Sequence, residues 1–172
     1  ARLQEAEAVF DAGPEHTVLS LRLQNRFRAE RLLVSTQSLL RSSGLSDEAS
    51  AAAAVQAFEE ILRISPDHSA AAEGLTEISK HYGQLAAEAA QEGEVAEAIR
   101  LLQRATAARS DLREHDRVRF LISQATSIQS AVADLFVRAE SQIANGRLMA
   151  QGDDSAAQLL LQVLATDPDN ER

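Results

Sequence analysis

The sequence predicts an all-α protein, and three observations carry that reading. Hydrophobic residues make up 45% of the 172-residue chain, yet aromatics supply only 3% and tryptophan is absent. The apolar content is therefore mostly alanine and leucine, which favour helices and let them pack closely. Seven glycines and three prolines are too few to break the chain often, so the helices should be long. No stretch sustains the period-two alternation of a half-buried strand.

Taken in order, residues 1–12 (ARLQEAEAVFDA) read as a short helix stopped by Gly13-Pro14. Residues 16–43 carry apolar positions at Leu19, Leu23, Phe27, Leu33 and Leu40 before the turn sequence SSGLSDE. Residues 47–64 (DEASAAAAVQAFEEILRI) form a third helix, with acids at its start where the helix dipole favours them. Ser65 then offers a cap and Pro66 a first turn for a helix reaching Gln91. A turn at 92–94 (EGE) leads into a helix ending near Arg109. From Asp111 to Asn145 no breaker occurs, which predicts one long helix. Gly146–Asp153 is a loop and 154–166 the last helix.

The chain repeats itself at a spacing of 102 residues. Gly44 meets Gly146, Ala54 meets Ala156, Phe58 meets Leu160, Ile61-Leu62 meets Val163-Leu164, and Pro66-Asp67 meets Pro168-Asp169. No gap is needed between the glycine and the Pro-Asp pair. Between these copies lies a third unit: Tyr82, Leu85-Ala86, Gly93, Ala98, Leu102 and Ala105, with Ser110 in the proline's place. In this pattern small residues let the two helices of a hairpin approach, while Leu102 or Phe58 fills the gap. Each hairpin buries one face alone, so neighbours must stack.

Those spacings resemble the tetratricopeptide repeat, with Ala86 standing where the family has a glycine and Ser110 where it has proline. In the outer units the likeness is confined to the second helices, and their turns are longer. The resemblance covers roughly residues 27–172. It implies antiparallel hairpins, at about 16–64, 67–109 and 111–166, stacked as an irregular tetratricopeptide-like α-solenoid in one domain spanning 1–172. It also implies a concave surface, lined by the first helix of each hairpin, that holds a peptide or partner protein. On the well-matched hairpin the residues facing that surface would be Lys80, Gly83, Ala87 and Gln91.

Within the long helix, Val118, Leu121, Ala125, Ile128, Val132, Leu135 and Ala139 alternate three and four residues apart. That is a coiled-coil seam, which can lie against neighbouring helices of the same chain or zip two copies into a homodimer.

No catalytic constellation is present. His16, His68, His81 and His115 are scattered without a second ligand at metal spacing, and His68, at a helix start, is expected to be solvated. The phosphate-loop, dinucleotide and nucleophile-elbow signatures are missing. No cofactor is expected, and the chain is read as non-enzymatic. With a net charge of −9 and a pI near 4.9, it is also not expected to bind nucleic acid. Arginines cluster at Arg22, Arg26, Arg28 and Arg31, and again from Arg100 and Arg104 to Arg119. The pairs Arg22/Arg26 and Arg100/Arg104 each share a helix face, and either pairs with the chain's own acids or receives an acidic partner segment. Of these, Arg100 and Arg104 join Lys80 and Gln91 as candidate partner-binding residues.

Cysteine is absent, so no disulfide framework or thiolate chemistry enters. No apolar run approaches the roughly 18 residues of a membrane span. The chain lacks an initiator methionine and a signal-peptide pattern, and reads as a segment of a longer protein. The expected function is a non-catalytic protein-interaction or scaffold module of a larger bacterial protein; the alternative is homo-oligomerisation through the 118–139 seam. The pattern ANGRL…GDDSA…DPDN resembles repeat regions of envelope-linked bacterial proteins. It implies a periplasmic setting, with any membrane attachment lying in another part of the chain, against a cytoplasmic alternative.

Overall fold

The computed structural model describes residues 14–149 and 155–168. Among them are six α-helices and no strand, so the chain is all-α as its composition predicts. The helices are α1 (Pro14–Ser43), α2 (Glu48–Ile64), α3 (Ser69–Gln91), α4 (Val95–Ala108), α5 (Glu114–Ala144) and α6 (Ala156–Thr166). The helix expected at 1–12 lies outside the described residues. Contacts group the chain into two compact units, Ala1–Ser79 and Lys80–Arg172, with the division falling inside α3.

In the first unit α1 and α2 form a hairpin closed by Gly44, whose φ of +73° is one that side chains with a Cβ rarely adopt. Asp47 caps α2, its carboxylate accepting from the Ser50 N–H at 3.0 Å. Ala29, Leu33 and Thr36 of α1 are buried, as are Ala51, Ala54, Phe58 and Ile61 of α2 and Ala71, Leu75 and Ile78 of α3. Thr36 returns its hydroxyl to the Leu32 carbonyl at 2.7 Å, so its burial leaves no unmet donor. The tightest fit is between Phe58 and Gly74. A Cβ at Gly74 would stand 2.4 Å from the phenyl ring, so α3 can approach α2 only because that position has no side chain.

The start of α3 corrects the sequence reading. Ser65 does not cap α3; it ends α2, in an extended conformation with its N–H donating to the Ile61 carbonyl at 2.8 Å. Pro66-Asp67 makes the turn, and α3 begins at Ser69. A proline just past a helix end cannot extend that helix, and here the chain needs two further residues to change direction.

In the second unit the buried residues are again mostly small: Ala86, Ala89 and Ala90 of α3, and Ala98, Leu101, Ala105 and Ala108 of α4. The 3-4-3 spacing on α4 puts Leu101 inside and leaves Leu102, the expected gap-filler, half-buried. Two contacts set the direction of α5. Its His115 lies 3.9 Å from where a Cβ on Gly83 would be, and the Gln129 amide donates to the Gly93 carbonyl at 2.7 Å. The later half of α3 and α5 therefore run the same way, while α4 and α6 return. Gly93 and Gly146 close these two hairpins, again with positive φ.

The 102-residue repeat survives in backbone detail. Asp167 ends α6 at φ −139°, ψ 88°, against −138°, 90° at Ser65, and its N–H reaches the Val163 carbonyl at the same 2.8 Å. Ala54 and Ala156, and Ile61 and Val163, are buried alike. The pair Phe58 and Leu160 breaks the pattern at 2% and 39% exposed, and Leu159 is buried in place of Leu160. Phe58 has Gly74 of the following helix to press on; among the described residues no helix follows α6.

The Phe58–Gly74 contact gives a direct test. In a helix interior Gly→Ala ordinarily stabilises by about 1 kcal/mol. Here Gly74→Ala should instead destabilise by about 1–3 kcal/mol, as overpacked cores do. Urea unfolding followed by circular dichroism measures it, and adding Phe58→Leu should restore most of the loss.

Candidate functional site

The residues nominated on the middle hairpin do not form a polar site. Lys80 and Gln91 are exposed on α3, Ala87 is half-buried and Gly83 is buried, with His115 of α5 against it. The two arginines of α4 are occupied. Arg100 forms a two-point ion pair with Glu97, one contact being Nε to Oε2 at 2.7 Å. Arg104 lies half-buried with its guanidinium 5.7 Å from the centre of the Tyr82 ring, within cation–π range. Arg100 thus pairs with an acid of its own helix, while the contact of Arg104 is with a ring.

The seam on α5 divides. Val118, Ala125, Val132 and Ala139 are buried in the unit, together with Ile122 and His115. Leu121 and Leu135 are half-buried, and Ile128 is 44% exposed. The buried positions keep a heptad spacing, with Ile122 taking the inside place expected for Leu121. The helix also corrects the hydropathy reading. An 18-residue window of it averages 1.2 in mean hydropathy and satisfies the length and composition of a membrane span. The stretch 120–137 carries Asp134 as its one charged side chain, so low charge rather than an unbroken apolar run produces that average.

The histidines sit in separate packing environments. His68 is not solvated as expected. Only 14% of its side chain is exposed, its Nε2 is 4.0 Å from the Glu30 carboxylate, and its Nδ1 is buried without a hydrogen-bond partner. His81 stands edge-on to Tyr82, and His115 is buried. Among the described residues no three His, Asp or Glu side chains gather as a metal site would require.

Two carboxylates show what the surface ion pairs do. Hydrogen bonding and charge from Arg63, and the Arg28 guanidinium at 3.0 Å, hold the Glu60 carboxyl below its ordinary 4.5. Arg109 grips Asp111 at 2.8 and 3.1 Å across the α4–α5 turn and holds it below its ordinary 3.8. Both pairs are solvated, so each contributes modestly.

The feature that stands out is the N-terminal half of α1. Residues 21–28 are all exposed, two full turns with no buried side chain. Leu19, Leu23 and Phe27 recur every fourth residue at 57%, 57% and 69% exposure, and Val34 extends the same side. At about 100° per residue these four span roughly 80° of the helix surface. Arg22 and Arg26 border that stripe on one margin and Arg31 on the other, and the exposed Glu30 lies within the stripe itself. Arg22 and Arg26 also line an open groove of about 650 Å³ that α1 makes with the Pro66-Asp67 turn, whose far wall includes Ser65, His68 and Ser69. Arg28, by contrast, is paired with Glu60. The sequence named Leu19, Leu23 and Phe27 as ordinary apolar positions of an amphipathic helix. Only the length of α2 shows that, among the described residues, no helix faces them. At 17 residues against the 30 of α1, it ends opposite the middle of its partner.

No family model, curated protein or solved structure matches the chain. The class is therefore stated from the molecule itself: an all-helical protein of hairpins closed by left-handed glycines, compatible with a helical repeat.

Two outcomes follow. Because both carboxyls are held below their ordinary values, the stability from Glu60 and Asp111 is complete above pH 4.5 and 3.8 and disappears as pH falls through the lowered values. Thermal melts from pH 7 to 3 should show a shallower acid loss in Glu60→Gln and Asp111→Asn. Separately, Arg104→Ala should cost about 1 kcal/mol in chemical unfolding through the lost ring contact. Arg22→Ala, on an exposed turn, should stay within about 0.5 kcal/mol of the parent.

Proposed function

We propose that this chain is a non-catalytic protein-interaction or scaffold module, built as a tetratricopeptide-like helical repeat. The fold reading is supported by three hairpins closed at Gly44, Gly93 and Gly146 and by the parallel course of the later half of α3 and α5. One observation carries the function: two exposed turns of α1 bearing Leu19, Leu23 and Phe27. A helix segment that buries nothing gains little from its own backbone, since isolated short helices are marginal in water. Large side chains repeated on one face of such a segment belong to a surface that a partner covers. The oligomer seam is the less favoured surface, because Val118, Ala125, Val132 and Ala139 are already inside the second unit.

The test compares the chain with a Leu23→Asp/Phe27→Asp variant and an Ile128→Asp variant, each matched for helix content by circular dichroism. Proteins captured by the parent are identified, purified and rebound in vitro. Binding should fall at least about tenfold in the α1 variant and persist in the α5 variant. A purified partner indifferent to the α1 substitutions defeats the reading. Concentration-dependent sedimentation abolished by Ile128→Asp would favour the oligomer in its place.

A further inference from the structure

We propose that the exposed stripe of α1 is the docking site for an acidic amphipathic helix of a partner protein. This rests on the interaction-module reading above and specifies the partner's chemistry. The apolar contacts are Leu19, Leu23 and Phe27, spaced four residues apart along about two turns. That is the footprint of a helix laid lengthwise, which presents its own apolar residues at the same interval. The margins decide the sign. Arg22, Arg26 and Arg31 are exposed, and none is paired with an acid among the described residues; Arg28 is committed to Glu60 and faces away. Against three arginines the stripe carries, among the described side chains, one acid, Glu30, and that carboxylate stands 4.0 Å from the His68 ring. The face is thus positive on a chain whose net charge is −9.

This charge pattern selects among occupants. A second copy laid stripe to stripe would bring arginine margins together, and like charges across an interface disfavour it. A partner helix with glutamates or aspartates on both sides of its apolar stripe meets every margin with an opposite charge. Arg22 and Arg26, one turn apart, would each take one carboxylate, and their guanidinium forks suit two-point contacts.

The test uses the full 172-residue chain and two synthetic 18-residue helical peptides with the same leucine stripe. One carries glutamate on both margins, the other lysine. Fluorescence anisotropy at low salt should show the glutamate peptide binding about tenfold or more tightly than its lysine twin. The preference should weaken as salt screens it. Arg22→Glu/Arg26→Glu, both exposed, should reverse the preference, and Leu23→Asp should weaken both peptides. Equal binding of the two peptides, binding of neither, or an acid preference untouched by the double charge reversal would overturn the proposal. So would self-association in sedimentation that Leu23→Asp abolishes, since the occupant would then be a second copy. If partner capture still depends on Leu23 and Phe27 while the charge reversal has no effect, the interaction module stands and the acidic helix falls.

Discussion

Close approach of helices across small side chains is the constraint on which the rest of this structure depends. With 3% aromatics, the chain has little bulk to fill a wide inter-helix space. Burial must come from Ala54, Ala71, Ala86, Ala98, Ala105 and Ala139, all at or near zero exposure. An alanine core works only when backbones lie close together, because dispersion falls away within an ångström of the optimum separation. Phe58 over Gly74 is the same rule at its limit: the one large ring in α2 is accommodated by removing the opposing side chain altogether.

That constraint shapes the surface as well. A shallow core absorbs few large residues, so Leu, Phe, Val and Ile side chains are distributed around the helices rather than on one face. On α5 enough neighbours exist to bury one stripe. On α1 the partner helix is too short, and a second stripe is left outside with arginines along it. The core and the candidate interface are thus two consequences of one composition. Residues that would be core in a deeper fold become an adhesive face in this one.

Charge follows a parallel logic. Arginine far outnumbers lysine, and acids outnumber both. Where α4 and the α4–α5 turn place acids or a ring within reach, Arg100, Arg104 and Arg109 are held by the chain itself. Where α1 projects past its neighbour, Arg22 and Arg26 form no ion pair among the described residues, although Glu30 and Asp67 line the same groove. Sequence spacing made Arg22/Arg26 and Arg100/Arg104 look alike. They differ because Glu97 sits three residues before Arg100 and Tyr82 lies beside Arg104, whereas the positions three before Arg22 and Arg26 hold Leu19 and Leu23. The Glu97 spacing was legible in the chain; the Tyr82 contact, between two helices, was not.

The sequence by itself determined the helices, the turns and the repeat, since these depend on residues near one another in the chain. Alanine-rich runs, Gly44, Gly93 and Gly146 and the Pro-Asp pairs place every described boundary within a few residues, and Ser65 and Asp167 share one geometry because their local sequences match. Only the tertiary structure decided which apolar side of each helix is inside. Leu33 and Leu19 carry the same hydrophobic signal, and their burial differs because α2 reaches one and stops short of the other. Seam positions, too, were legible as a stripe, but Ile128 is exposed while Ile122 is buried because α4 and α6 set where α5 is covered. Periodicity reports that a face exists; the length and placement of distant helices determine what it meets.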